Sequence, residues 1–174
     1  MSCYNCQVAP RIIFKAARSN KRQSRRRYQL DRDHEQSLLQ LIGKEGCYLL
    51  CVKRIAELEL RCGFLDPVWV YTESVKRGWT QADCLLLDSA AILSWLTCQQ
   101  WRKSKQGADY KLDPYARGWE VLCYARKTGS SLITHFVVGD RAGGILYNPL
   151  VDSITIAQGY LESKRIFTLK ETIV

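Results

Sequence analysis

The stretch Gly46-Cys47-Tyr48-Leu49-Leu50-Cys51 places a cysteine at the start of an apolar segment and decides how the rest of the chain is interpreted. Apolar residues recur at near-helical spacing from Cys47 to Arg61, which predicts an amphipathic helix. Cys47 then lies in the first turn, where unpaired backbone N–H groups and the helix dipole favour a negative charge. A thiol in that position is expected to have a lowered pKa.

A second segment, Thr134-His135-Phe136-Val137-Val138, is predicted to be a strand, and Tyr147-Asn148-Pro149 follows at the end of another. A cysteine, a histidine and a side-chain amide can supply a nucleophile, a base and a group that orients the base. Such sets are recognised by geometry, so their order leaves a second interpretation open. Cys47 can also be a buried helix cysteine, His135 a strand residue with a local hydrogen bond, and Asn148-Pro149 a turn.

Composition indicates one ordinary globular domain. The chain has 174 residues, of which 47% are apolar and 25% are charged. It contains no apolar run of the length that a transmembrane helix needs, about 18 residues, and no signal-peptide pattern. We therefore expect no membrane association, and a cytoplasmic location.

The formal net charge of +9 is concentrated near the N-terminus. Residues 1–28 carry eight basic side chains and no acidic one, whereas the remainder has 18 basic and 17 acidic residues. Residues 1–30 are therefore predicted to form a basic, disordered extension, and residues 31–174 the globular domain. The extension is either merely solvated or makes weak nucleic-acid contacts through residues 11–27.

Eight cysteines in a chain without an export signal indicate free thiols rather than a disulfide framework. Cys3 and Cys6 have the spacing of half a zinc site. However, the chain has only two histidines, His34 and His135, and no second Cys-x-x-Cys pair. No metal or cofactor is therefore predicted.

The periodicity changes from helical to strand-like near the middle of the chain. Helices are predicted at 31–40, 47–61, 67–78 and from Asp88-Ser89 to Trp101, with a break at 43–46 and a loop at 103–118. Strands are predicted at 119–126, 132–139, 145–147, 154–156 and 165–169. Helices followed by an antiparallel sheet make an α+β domain.

Three short motifs resemble the papain-like cysteine peptidases: Gly46-Cys47-Tyr48, Asp83-Cys84, and His135-Phe136-Val137-Val138 with Tyr147-Asn148-Pro149. The chain is most similar to the bacteriocin-leader (double-glycine) peptidases and to a phage and bacterial branch of them. The resemblance spans roughly residues 36 to 160. It implies a papain-like fold, in which a helical N-terminal half carrying Cys47 packs on a C-terminal antiparallel sheet carrying His135.

The same resemblance implies the roles of individual residues. Cys47 is the nucleophile, His135 is the general base and later the acid, and Asn148 orients His135. The family commonly has an oxyanion-binding glutamine where this chain has Leu41, so the neighbouring Gln40 is the candidate donor.

The activity implied is thiol-dependent cleavage of a peptide or amide bond in a peptide or protein substrate, without a cofactor. Two alternatives remain open. One is a catalytically inactive domain that binds a peptide or protein through the same cleft. The other is a nucleic-acid-associated protein that acts through its arginine-rich extension.

Overall fold

The computed structural model describes residues 21–113 and 115–170, with side chains from residue 32 onward, and shows helices followed by a sheet. The helices are α1 (Lys21–Glu45), α2 (Cys47–Leu60), α3 (Pro67–Lys76), α4 (Ser89–Thr97) and the short α5 (Ile154–Gln158). The strands are β1 (Trp101–Gly107), β2 (Gly118–Thr128), β3 (Ser131–Gly139), β4 (Ile145–Tyr147) and β5 (Tyr160–Leu169). Every strand pairing is antiparallel, which confirms the predicted α+β class.

The helix boundaries follow from local sequence chemistry. The carboxylate of Asp66 accepts a hydrogen bond from the Val68 N–H, and Pro67 occupies the first helical position of α3. Asp88 caps α4 in the same way by accepting from the Ala91 N–H. These caps satisfy backbone donors that would otherwise be unpaired at the helix starts.

Gly46 allows α1 and α2 to meet closely. It is buried, and a Cβ atom at this position would lie 2.6 Å from the Ile42 carbonyl oxygen. A larger residue would therefore force the two helices apart. The glycine fixes Cys47 as the first residue of α2, directly after the junction.

The sheet has the order β1-β5-β2-β3-β4, so the long strands β5 and β2 lie inside it. Helix α2 packs on β3, where the rings of Tyr48 and Phe136 stack with centroids 4.6 Å apart. The core between the helices and the sheet is fully apolar at its centre, and its members include Val52, Ile55, Val70, Ile92, Leu93, Val121, Val138 and Phe167. This packing brings the start of α2 beside the middle of β3.

Two sequence predictions about the helices are wrong. The first helix does not end before 43–46, because Gly43 lies inside α1, which runs on to Glu45. Residues 21–30, which were placed in the extension, form the beginning of the same helix. Residues 1–20, with Cys3 and Cys6, lie outside the described residues, so disorder and nucleic-acid binding there stay predictions.

Two predictions about the sheet region are also wrong. The loop expected at 103–118 begins with β1, and Trp101 starts that strand rather than ending a helix. The charged side chains of β1 gave no strand pattern in the sequence. The strand forms because it lies at the edge of the sheet and pairs with β5 through backbone hydrogen bonds. The strand expected at 154–156 is helix α5, which packs against β2 and β3. No helix among the residues described is long and apolar enough to cross a membrane.

Candidate active site

A cavity of about 270 Å³ lies between the α1–α2 junction and the sheet. Gly43, Lys44 and Cys47 line one side of it. The other side is lined by His135 and its neighbours on β3, and by residues of the segment 149–155. Two of the three predicted catalytic residues, Cys47 and His135, thus face one another across a single cavity.

The third residue, Asn148, is bonded to the histidine. The Asn148 Oδ1 atom accepts from the Leu150 N–H at 3.0 Å, and its Nδ2 atom donates to the Val151 carbonyl at 3.4 Å. These backbone contacts set the orientation of the amide independently of the histidine. Because Oδ1 can only accept, its 2.8 Å contact with His135 Nε2 places a proton on Nε2.

Nδ1 of His135 is the ring nitrogen that Asn148 does not contact. His135 is 6% exposed, and it lies in the strand segment that lines the cavity. The side chain therefore has one nitrogen held by Asn148 and one nitrogen available as a base. The structure thus joins His135 to Asn148 in the cavity that Cys47 also lines, and the catalytic roles of the three residues stay predictions.

The thiol of Cys47 differs from expectation. Burial raises its pKa above the ordinary value, while the backbone N–H groups of Phe136, Tyr48 and Cys47 itself oppose the shift and the charge of Glu45 adds to it. The predicted lowered pKa is therefore wrong, because desolvation outweighs the helix start. Within the described residues, no hydrogen bond joins the side chains of Cys47 and His135. Catalytic contacts of this kind are often long before substrate binds.

The raised pKa predicts how Cys47 reacts with iodoacetamide. Since the thiolate is the reactive form, the rate constant should still be rising at about pH 9 rather than levelling off lower. The measurement is limiting alkylation between about pH 6 and about pH 10, mapped by peptide mass spectrometry. Cys84 is the internal control, because burial raises its pKa to about 11 and its labelling should be slower throughout. A plateau for Cys47 below about pH 7 would contradict the shift.

The candidate oxyanion donor is not in the site. Gln40 is exposed on α1 and is not among the residues lining the cavity, while Leu41 packs against the core. Because α1 continues unbroken to Glu45, Gln40 lies four residues before Lys44, about 6 Å nearer the start of the helix. The remaining candidate for the oxyanion hydrogen-bond donor is the backbone N–H of Cys47, in the first turn of α2.

Sequence reasoning missed Ser153 and Thr155, which also line the cavity and are each 6% exposed. The β-branched run 154–156 was interpreted as a strand, which concealed the turn of α5 that brings both hydroxyls to one place. The available signal was Ser153 itself, since serine before a short apolar run is a common helix start.

Comparison with known proteins gives one match. The family model described as "Protein of unknown function, DUF261" matches residues 29–169. No curated protein and no solved structure matches the chain.

Proposed function

The chain belongs to the DUF261 family, whose description assigns no function, and we propose that it is a thiol-dependent peptidase or amidase with a papain-like site. The observation that carries the proposal is the pair of His135 and Asn148, joined at 2.8 Å with the histidine's other nitrogen left as a base, in the cavity that Cys47 also lines. A buried histidine with one nitrogen fixed by a side-chain amide is oriented for proton transfer. Its substrate is a peptide or protein, and no cofactor takes part.

The reaction follows from these roles. The sulfur of Cys47 attacks the carbonyl carbon while its proton passes to Nδ1 of His135. His135 then gives the proton to the leaving amine as the C–N bond breaks, which leaves a thioester on Cys47. A water molecule attacks the thioester, its proton passes to His135, and the carboxylic acid leaves as the thiol re-forms.

The state of the thiol decides which form of this mechanism applies. Because burial raises the pKa of Cys47, the thiol rests in its neutral form rather than as the thiolate of an ion pair. Attack then requires the base at the moment of reaction. With Cys47 N–H as the oxyanion donor and no glutamine beside it, a missing donor costs about 3 kcal/mol of transition-state stabilisation, so slow turnover is expected.

A burst experiment tests the proposal. Mixing the protein with a p-nitrophenyl ester should release about one equivalent of p-nitrophenolate per chain in a fast phase. Mass spectrometry should find the acyl group on the peptide that contains Cys47. Cys47→Ala should remove both signals. Cys51→Ala is the matched control, since this residue lies one turn along α2, is fully buried and does not line the cavity.

The same experiment separates the proposal from a catalytically silent domain that binds a peptide in the cleft. That alternative is favoured by the raised pKa of Cys47 and by the position of Gln40 outside the cavity. A protein that binds but does not react gives neither a burst nor an acylated Cys47. That outcome would overturn the enzymatic proposal and leave the binding domain.

A cytoplasmic location is part of the proposal. Thiols persist in reducing compartments, whereas exported proteins generally oxidise theirs to disulfides. The free thiols of the described residues include Cys47, Cys51, Cys62, Cys84 and Cys123. A nucleophilic cysteine would also stay reduced there.

A further inference from the structure

The cavity beside Cys47 has an aliphatic rim. Ile133, Leu150 and Ile154 line it and are 41%, 54% and 56% exposed. Large aliphatic side chains that surround a concave site remain exposed at a cost of about 25 cal/mol per Å² of apolar surface. A ligand that covers them recovers that free energy, so the rim favours an apolar group.

The interior of the cavity offers hydroxyl groups instead of charges. Ser153 and Thr155 are each 6% exposed, and neither hydroxyl has a hydrogen-bond partner among the described residues. Neither hydroxyl is among the fully buried polar atoms that lack a partner, so both remain accessible to water or to a ligand. Both are therefore available to a polar group that enters the cavity.

The charged residues of the lining stay near solvent. The side chain of Lys44 is 82% exposed and lies 3.2 Å from the carboxylate of Glu45. Asp152 is exposed as well. Neither charge is buried in a position to pair with a charged side chain inside the cavity, and an unpaired buried charge is costly. The interior therefore selects against charged groups.

The edge of the sheet beside the cavity fits an extended peptide. Strand β4 pairs with β3 only at Val138 and Gly139. From Ser131 to Phe136, the outer edge of β3 has no strand partner in the part of the chain that the structure describes. A free strand edge binds a peptide backbone by adding a strand. Phe136 stacks on Tyr48, the residue that follows Cys47, with ring centroids 4.6 Å apart, which places this part of β3 next to the nucleophile.

We propose that this cavity is a specificity pocket for one uncharged aliphatic side chain of an extended peptide that pairs with the free edge of β3. Ser153 and Thr155 bind the peptide's backbone amide groups, and Ile133, Leu150 and Ile154 enclose the side chain. The volume of about 270 Å³ suits one or two residues of a chain rather than a folded protein surface. This inference rests on the proposed function, since it assigns the substrate class of the same site.

Peptidyl acyloxymethyl ketones that differ only in the residue next to the reactive ketone test the pocket. Cys47 displaces the carboxylate leaving group, so a C–S bond forms, a C–O bond breaks, and the thiol proton is lost to the base. We expect the leucine probe to label Cys47 about 10 to 200 times faster than the aspartate probe. Ser153→Ala and Thr155→Val should slow the peptide probes without slowing iodoacetamide, which has no peptide backbone.

Two aspartate variants locate the effect. Ile154→Asp should lower the ratio of leucine to aspartate labelling about tenfold or more, because it places a charge in the rim. Leu146→Asp is the matched control, since Leu146 is 50% exposed on β4 and does not line the cavity, and it should leave the ratio unchanged. Equal labelling by the two probes, together with an intact ester burst, would overturn the pocket but not the thiol chemistry. Failure of the burst and of every probe would overturn both.

Discussion

Replacing His135 with alanine should lower kcat/KM for ester and peptide hydrolysis by about 10²- to 10⁴-fold, the usual contribution of a general base. The effect should be large because the resting thiol is neutral: burial raises the pKa of Cys47, so attack depends on a base that removes the proton. The imidazole is oriented for this role, with Nε2 donating to Asn148 and Nδ1 left without that contact. Progress curves for a p-nitrophenyl ester measure both the burst and the steady rate.

His34 provides the matched control for this variant. It is the other histidine of the chain and lies exposed on α1. His34→Ala should leave the burst and the steady rate unchanged. If His135→Ala also retains the wild-type burst, His135 does not act as the base and the triad is wrong.

Asn148→Ala should have a smaller effect than the loss of the histidine. Without the amide oxygen, the imidazole can place its proton on either nitrogen, and only one tautomer has Nδ1 free to accept. The value of kcat/KM should therefore fall, but it should vary with pH in the same way as in the wild type. A variant as impaired as His135→Ala would indicate that Asn148 also maintains the loop that follows it, through Leu150 and Val151.

The parts of the site that were predictable from sequence depend on local chemistry. Gly46 before Cys47 predicts a helix start, and the structure begins α2 at Cys47 because a side chain at Gly46 would collide with Ile42. The strand-like run around His135 predicted the strand that carries it, and Asn148-Pro149 predicted a turn at the end of the following strand. These features require only neighbours in the chain.

The parts that failed depend on tertiary packing. The pKa of Cys47 is set by how completely α2 is covered by β3, which helix position alone does not reveal. Gln40 misses the site because α1 continues through Gly43, where a glycine with nothing within 4 Å of its would-be Cβ is tolerated in a helix. Strand β1 and helix α5 were misassigned because edge pairing and docking overrode their local propensities.

Replacing Glu57 with alanine should lower the free energy of unfolding by about 3 to 5 kcal/mol, the usual cost of removing one partner of a buried ion pair. Glu57 is 4% exposed and lies on α2, the helix that carries Cys47. Its Oε1 atom accepts from Lys53 Nζ and from the Leu65 N–H, and its Oε2 atom accepts from Arg54. Alanine would leave the ammonium of Lys53, itself 7% exposed, buried without its partner.

Urea unfolding of wild type and variants measures this loss, and Glu73→Ala is the control. Glu73 pairs with Lys76 at 2.7 Å on the exposed surface of α3. An exposed pair of this kind contributes little to stability, because water screens the two charges. A loss below about 1 kcal/mol for Glu57→Ala would show that Lys53 reaches water and that the network is not buried in solution.

The stability that the Glu57 carboxylate contributes should decrease as the pH is lowered. Burial alone would raise the pKa of Glu57, but hydrogen bonds from Lys53 and from the Leu65 N–H, with the charge of Lys53, lower it. A carboxylate with a lowered folded pKa stabilises the fold above its unfolded value of about 4.3, and that stability is lost as pH falls through the folded pKa. The difference in unfolding free energy between wild type and Glu57→Gln should therefore narrow from neutral pH toward acid. A difference that widens would reverse the assigned shift.

A double variant separates the unpaired charge from the lost packing. Glu57→Leu alone leaves the Lys53 ammonium buried, whereas Lys53→Met with Glu57→Leu removes both charges and keeps their volume. Apolar replacement of a whole buried ion pair is often neutral or stabilising, so the double variant should recover most of the stability that Glu57→Leu loses. The hydrogen bonds to the Leu65 N–H and to Arg54 are absent from both variants, so any loss that persists in the double variant measures these two contacts together. Recovery of stability in the double variant would show that Glu57 stabilises α2 chiefly by neutralising the charge of Lys53.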